Sequence, residues 1–143
     1  MRTSLSLSLP IAATFSLTGD AFARPASQSS SGQDGVQVIT VTARKYEFDP
    51  SPIRVKQGAH VQLKITATDH AHGFAIREFP QGAEKGGKPG LAFSTPPSCQ
   101  KIEQGQTATV ESVAQTPGTY PFHCCVHCSW HHLSMKGELI VEP

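Results

Sequence analysis

The segment HVQLKITATD, His60 to Asp69, places Val61, Leu63, Ile65 and Ala67 at alternate positions with Gln62, Lys64 and Thr66 between them. A period of two is the repeat of an extended chain, so this pattern predicts a strand with one buried face. VQVITVTA, Val36 to Ala43, alternates in the same way and turns Ile39, Val41 and Ala43 to one side. Between these two, FDPSPIRVKQGAH carries Pro50, Pro52 and Gly58, which mark turns around a short strand at Ile53 to Val55. GFAIRE, QTATVESV, GTYPFHC and KGELIVEP supply further short β-rich runs, and no segment shows a convincing helical period.

The stretch from Pro80 to Gln100, PQGAEKGGKPGLAFSTPPSCQ, loses its periodicity and collects glycine, proline and lysine. It reads as a long connection crossing between sheets, with room for a helical turn. Short strands joined by one long crossover predict an all-β, Greek-key β-sandwich. With 143 residues the chain is long enough for one domain with a real core. Its 12 basic and 11 acidic residues leave a net charge of +1, so no basic field is available to hold nucleic acid.

The N-terminal segment reads as an address. Arg2 precedes the weakly apolar run LSLSLPIAATFSLTG, and Ala21-Phe22-Ala23 offers small residues where a signal peptidase cuts. A membrane anchor is the alternative, but serines and Pro10 interrupt a run already too short to span comfortably. The expected organisation is a signal peptide at 1–23, a flexible Ser/Gly-rich leader at 24–35, and a folded domain at 36–143. Export places the domain in the periplasm or outside the cell, with no membrane span once the signal is removed.

The chemistry is concentrated near the C-terminus. GTYPFHCCVHCSWHHLSMKG, Gly118 to Gly137, holds Cys124, Cys125 and Cys128, four histidines and Met135. Cys124, Cys128, His132 and Met135 follow the pattern Cys-x3-Cys-x3-His-x2-Met on a loop between two strands. Upstream, DHAHGF brings His72 back to the same rim. Thiolate, imidazole and thioether form a soft, mixed donor set. Zinc rarely takes a thioether whereas copper does, so the set points to copper.

These two segments resemble the cupredoxin domain of cytochrome c oxidase subunit II and the soluble cupredoxin-like proteins that share its dinuclear CuA motif. The resemblance covers most of residues 37–143 and is poor across 78–101. It implies two copper ions bridged by the thiolates of Cys124 and Cys128, with His72 and His132 as terminal imidazoles. Met135 would complete one copper and the backbone carbonyl of Val126 the other. Two positions depart from the family: Val126 stands where oxidase subunits usually have glutamate, and Ser129 where glycine is common. The function implied is electron transfer rather than bond chemistry, since no nucleophile and base are paired in the sequence. A redox protein or a copper-accepting oxidase would be the partner, with an apolar rim near Trp130 and Met135 as the docking surface.

Several alternatives stay open at this level. Cys128, His131 and Met135 fit Cys-x2-His-x3-Met, and with His72 they would make a mononuclear blue-copper site that leaves Cys124 surplus. A copper chaperone or delivery protein is a second class, kept open by the extra His123, His127 and His131 and the altered loop, and a small redox enzyme with an open copper is a third. Cys124 and Cys128 are alternatively read as a simple disulfide in an oxidising compartment, or as ligands of some other metal. Whether Cys99 and Cys125 pair is undetermined by sequence. Asp69 is read either as a partner that positions His72 or as an ordinary turn carboxylate. His70 is read as a surface residue, and His60 has no identifiable partner.

Overall fold

The computed structural model describes residues 35–83, 87–95, 98–127 and 134–143. Ten strands run in the order β1 (Gln37–Arg44), β2 (Glu47–Asp49), β3 (Ile53–Lys56), β4 (His60–Ala67), β5 (His72–Ile76), β6 (Leu91–Phe93), β7 (Gln100–Ile102), β8 (Thr107–Ala114), β9 (Gly118–His123) and β10 (Lys136–Glu142). One five-stranded sheet has the order β2-β1-β4-β8-β6, the other β3-β10-β9-β5-β7. Both sheets are mixed, because β1 runs parallel to β4 and β3 parallel to β10 while the other pairs are antiparallel. The chain is an all-β sandwich, and no α-helix occurs among the described residues.

The alternation seen in the sequence is the alternation of burial. Val61, Leu63, Ile65 and Ala67 all face the core, as do Val41 and Ala43, with Ile39 packed partly buried against them. From the opposite sheet β9 turns Tyr120 and Phe122 inward, and β10 turns Leu139 and Val141 inward. Phe48, Phe74 and Phe122 meet in the middle, with ring centroids 5.2–5.8 Å apart and two of the three contacts edge-to-face. That is the favoured geometry for aromatic quadrupoles and a stiff one. Gly58 takes a φ of 85° in the turn before β4, a backbone state that only glycine enters freely.

Three strands are absent from the pattern in the sequence: β2, β6 and β7. Each is three residues long and lies at a sheet edge, so its pairing is set by a neighbouring strand rather than by any hydrophobic period of its own. β6 shows that the Pro80–Gln100 connection does cross between sheets, since Leu91–Phe93 pairs with β8. The helical turn expected there is not found among its described residues; residues 84–86 and 96–97 lie outside them.

The topology brings three strand ends to one rim. β9 ends at His123 opposite the first residue of β10, Lys136, and His123 also pairs with Ala75 of β5. The end of β9 therefore lies beside the start of β10 and the last residues of β5, and the start of β5 runs on alongside the residues that follow β9. The aromatic centre beneath them is expected to carry much of the stability. Phe122→Ala should cost about 3–5 kcal/mol by urea unfolding, as for a large aromatic removed from a core, whereas exposed Val38→Ala should stay within about 0.5 kcal/mol. Equal effects of the two would contradict this placement of the core.

Candidate metal centre

Cys124 and Met135 stand opposite each other at the base of the β9–β10 connection. The Cys124 N–H donates to the Met135 carbonyl at 3.0 Å, one step past the last pair of the ladder. Their side chains follow from strand alternation. Cys124 extends the inward series Tyr120, Phe122, and Met135 begins the inward series continued by Gly137, Leu139 and Val141. Cys124 is 3% exposed and Met135 is fully buried. Met135 therefore offers its sulfur to the interior and contributes nothing to an apolar docking rim, contrary to the expectation from sequence.

His72 opens β5 and is likewise fully buried. Its Nε2 lies 2.7 Å from Asp69 Oδ1. Partial burial pushes the Asp69 carboxyl up, but the hydrogen bond from His72, those from the Lys45 and His70 backbone N–H groups, and the charge of His70 outweigh this. Together they hold it well below the usual carboxylate range. An ionised carboxylate only accepts, so Nε2 carries the proton and Nδ1 the lone pair. That Nδ1 is buried without a hydrogen-bond partner among the described residues. A buried polar atom left so costs about 1–3 kcal/mol, and a metal ion would satisfy it. Imidazole with a carboxylate on its outer nitrogen is the usual arrangement of a metal-binding histidine.

Gly73 lets the two segments close on each other. Its N–H donates to Cys124 Sγ at 3.3 Å, and the Cys124 thiol in turn reaches the Val126 carbonyl at 3.4 Å. A Cβ at Gly73 would stand 2.7 Å from the Val126 nitrogen and 2.8 Å from Cys125 Sγ, both too close for any side chain. Cys125 forms a disulfide with Cys99, which resolves the pairing left open by the sequence. The role of Gly73 is absent from the sequence reading. A glycine directly after a candidate ligand at the start of a strand was the available signal for close backbone approach.

Four of the candidate ligands, His72, Cys124, Val126 and Met135, thus come to one rim. Cys128 and His132 lie outside the described residues, as do Trp130 and His131. His123, His127 and His60 are exposed. His70 corrects the expectation of a surface residue: its ring packs 4.2 Å from that of His72, and both its ring nitrogens are buried. The chain turns at Asp69 before β5 begins, which folds His70 back onto His72. His70 Nδ1 lies 3.1 Å from Asp69 Oδ1 without forming a hydrogen bond to it. Asp69, His70 and His72 bring one donor atom each within 4.8 Å of one another. Asp69 Oδ1, however, already accepts from His72 and from the His70 backbone, so the carboxylate acts here as an acceptor for N–H groups.

The donors present suit copper: an imidazole lone pair with no other partner, a buried thiol and a buried thioether form a soft set. The chain is similar in sequence to two kinds of curated proteins. Cytochrome c oxidase subunit 2 of Thermus thermophilus is 28% identical over 104 residues, covering 73% of this chain and 64% of that one. Nitrous-oxide reductase of Stutzerimonas stutzeri is 28% identical over 116 residues, covering 78% of this chain but only 16% of the enzyme. The chain thus spans less than two thirds of either relative. Auracyanin A, a "blue" copper protein from Chloroflexus aurantiacus, superposes with a TM-score of 0.56 at 18% identity, over 76% of this chain and all of its own, a likeness of fold. The cupredoxin-like domain family matches residues 9–141, and the chain belongs to that family.

Proposed function

We propose that this chain is an exported copper protein that carries electrons through a dinuclear centre of the CuA type. Cys124 and Cys128 would bridge the ions, His72 and His132 would be the terminal imidazoles, and Met135 and the Val126 carbonyl the weak ligands. Copper supplies a one-electron couple, and thiolates suit Cu(I) while imidazoles tolerate Cu(II). A redox protein or a copper-accepting oxidase would be the partner. Export rests on the reading of residues 1–23 as a signal peptide, which lie outside the described residues. No helix among the described residues is long and apolar enough to cross a membrane.

The observation that carries the dinuclear reading is Cys124. A mononuclear site built on Cys128, His131 and Met135 with His72 leaves Cys124 without a role. Yet Cys124 is buried at the same rim as His72 and Met135, and its sulfur accepts from Gly73 N–H. The dinuclear reading gives this buried sulfur a use as a thiolate ligand, where the mononuclear one leaves it a small core side chain.

The surrounding residues do three things. Asp69 fixes the proton of His72 on Nε2 and so aims Nδ1 inward. Gly73 N–H withdraws charge from the Cys124 sulfur, which favours the reduced state. The phenylalanine cluster and the β9–β10 ladder below hold the donors in one place, so a change of charge moves few atoms. Small rearrangement means a low barrier to electron transfer.

The test is reversible one-electron cycling with copper retained; rapid loss of copper to a chelator during cycling would instead mark a delivery protein. Cys124→Ser should abolish a two-copper centre, and a variant that keeps two coppers and an unchanged spectrum would remove Cys124 from the site. Met135→Leu should keep copper and raise the reduction potential, because a donor to Cu(II) is lost; complete loss of metal would make Met135 a structural requirement instead. Asp69→Ala should leave the fold intact by circular dichroism but weaken copper binding about 10–100-fold in chelator competition. Unchanged affinity would make Asp69 an ordinary turn residue.

A further inference from the structure

Three of the chain's four cysteines fall within five residues, at Cys124, Cys125 and Cys128. Neighbouring thiols differ little in intrinsic chemistry, so a copper ion or an oxidant meeting this loop needs some other ground for choosing among them. The structure provides one. Cys124 Sγ is turned into the protein, whereas Cys125 Sγ is bonded to Cys99.

That disulfide crosses a strand. Cys99 immediately precedes β7 and Cys125 follows β9, and β5 lies between those two strands in the sheet. Strands flanking a third stand about 9–10 Å apart, two strand spacings. The Cα atoms of Cys99 and Cys125 are 5.7 Å apart. Both segments therefore bend off the sheet and close over β5, at the bare backbone of Gly73, where Cys125 Sγ occupies the space a Cβ would need. The sulfur of Cys125 is held outside the strand that carries His72 and cannot turn toward the rim while the bond to Cys99 persists.

We propose that Cys99 is a specificity-determining residue of the metal centre: by holding Cys125 in a disulfide across β5, it leaves Cys124 as the thiol presented at that rim. The proposal rests on the reading of Cys124 as a copper thiolate. With glutathione disulfide as oxidant, Cys99 and Cys125 form one S–S bond and the glutathione S–S bond breaks. The two electrons and two protons pass to two glutathione thiols. Without Cys99 the same exchange joins Cys125 to a neighbouring thiol of its own loop and removes a copper ligand.

The test compares the full chain with Cys99→Ala and Cys99→Ala/Cys125→Ala, each folded in a glutathione redox buffer and then loaded with copper. Copper per chain, the EPR hyperfine pattern and a non-reducing peptide map are read together, with circular dichroism to confirm folding. The expected result is loss of copper in Cys99→Ala, with Cys125 found in a disulfide within the loop. Cys99→Ala/Cys125→Ala should regain the wild-type copper content and pattern, since it lacks the crosslink but also the competing thiol. A Cys99→Ala protein with wild-type copper and pattern overturns the proposal. So does a double variant that fails as the single one does, because the crosslink and not the competing thiol would then matter. A wild-type chain that maps with Cys99 bonded to Cys125 yet takes no copper overturns the copper reading itself, and this proposal with it.

Discussion

The hydrogen bond from His72 Nε2 to the Asp69 carboxylate decides what the rim can be. It assigns the proton to the outer nitrogen and leaves a lone pair on Nδ1 inside the protein, where nothing among the described residues accepts from or donates to it. A dry nitrogen lone pair beside a buried thiol and a buried thioether costs stability unless a metal takes it up. The fold accepts that cost at a rim where the end of β9 and the start of β10 lie side by side. Asp69 is itself held from three sides, by Lys45, His70 and His72, so the imidazole is oriented by a group that is not free to swing.

Rigidity below the rim is of a different kind. The phenylalanine cluster and the β9–β10 ladder are ordinary core and backbone pairing. Their consequence here is positional. Because Cys124 and Met135 extend the inward faces of β9 and β10, the register that buries Phe122 and Leu139 also delivers the two sulfurs. A slip of one residue would turn both outward. Stability of the sandwich and placement of the ligands are the same constraint.

Much of this was legible in the sequence, for reasons that individual residues make plain. The eight-residue strands announced themselves because Val61, Leu63, Ile65 and Ala67 carry a period of two over their whole length. β2, β6 and β7 did not, since three residues at a sheet edge hold no period and are fixed by their neighbours. Met135 was misplaced at the surface because it sits at the end of a loop, although the series Met135, Gly137, Leu139, Val141 already had the inward spacing. His70 was misplaced for lack of the turn at Asp69 that folds it back. The Cys99–Cys125 pairing depends on β7 and β9 flanking β5, which is a matter of sheet order that no local pattern encodes. Cys128 and His132 rest on their spacing in the sequence, outside the described residues.

The central claim is a dinuclear centre that uses Cys124. It is tested most directly by loading the wild-type chain, folded with Cys99 bonded to Cys125, with copper and measuring copper per chain together with the EPR hyperfine pattern. The account predicts two coppers per chain and one unpaired electron shared between two equivalent nuclei. One copper per chain with a single-nucleus pattern would contradict it and move the site to His72, Cys128, His131 and Met135.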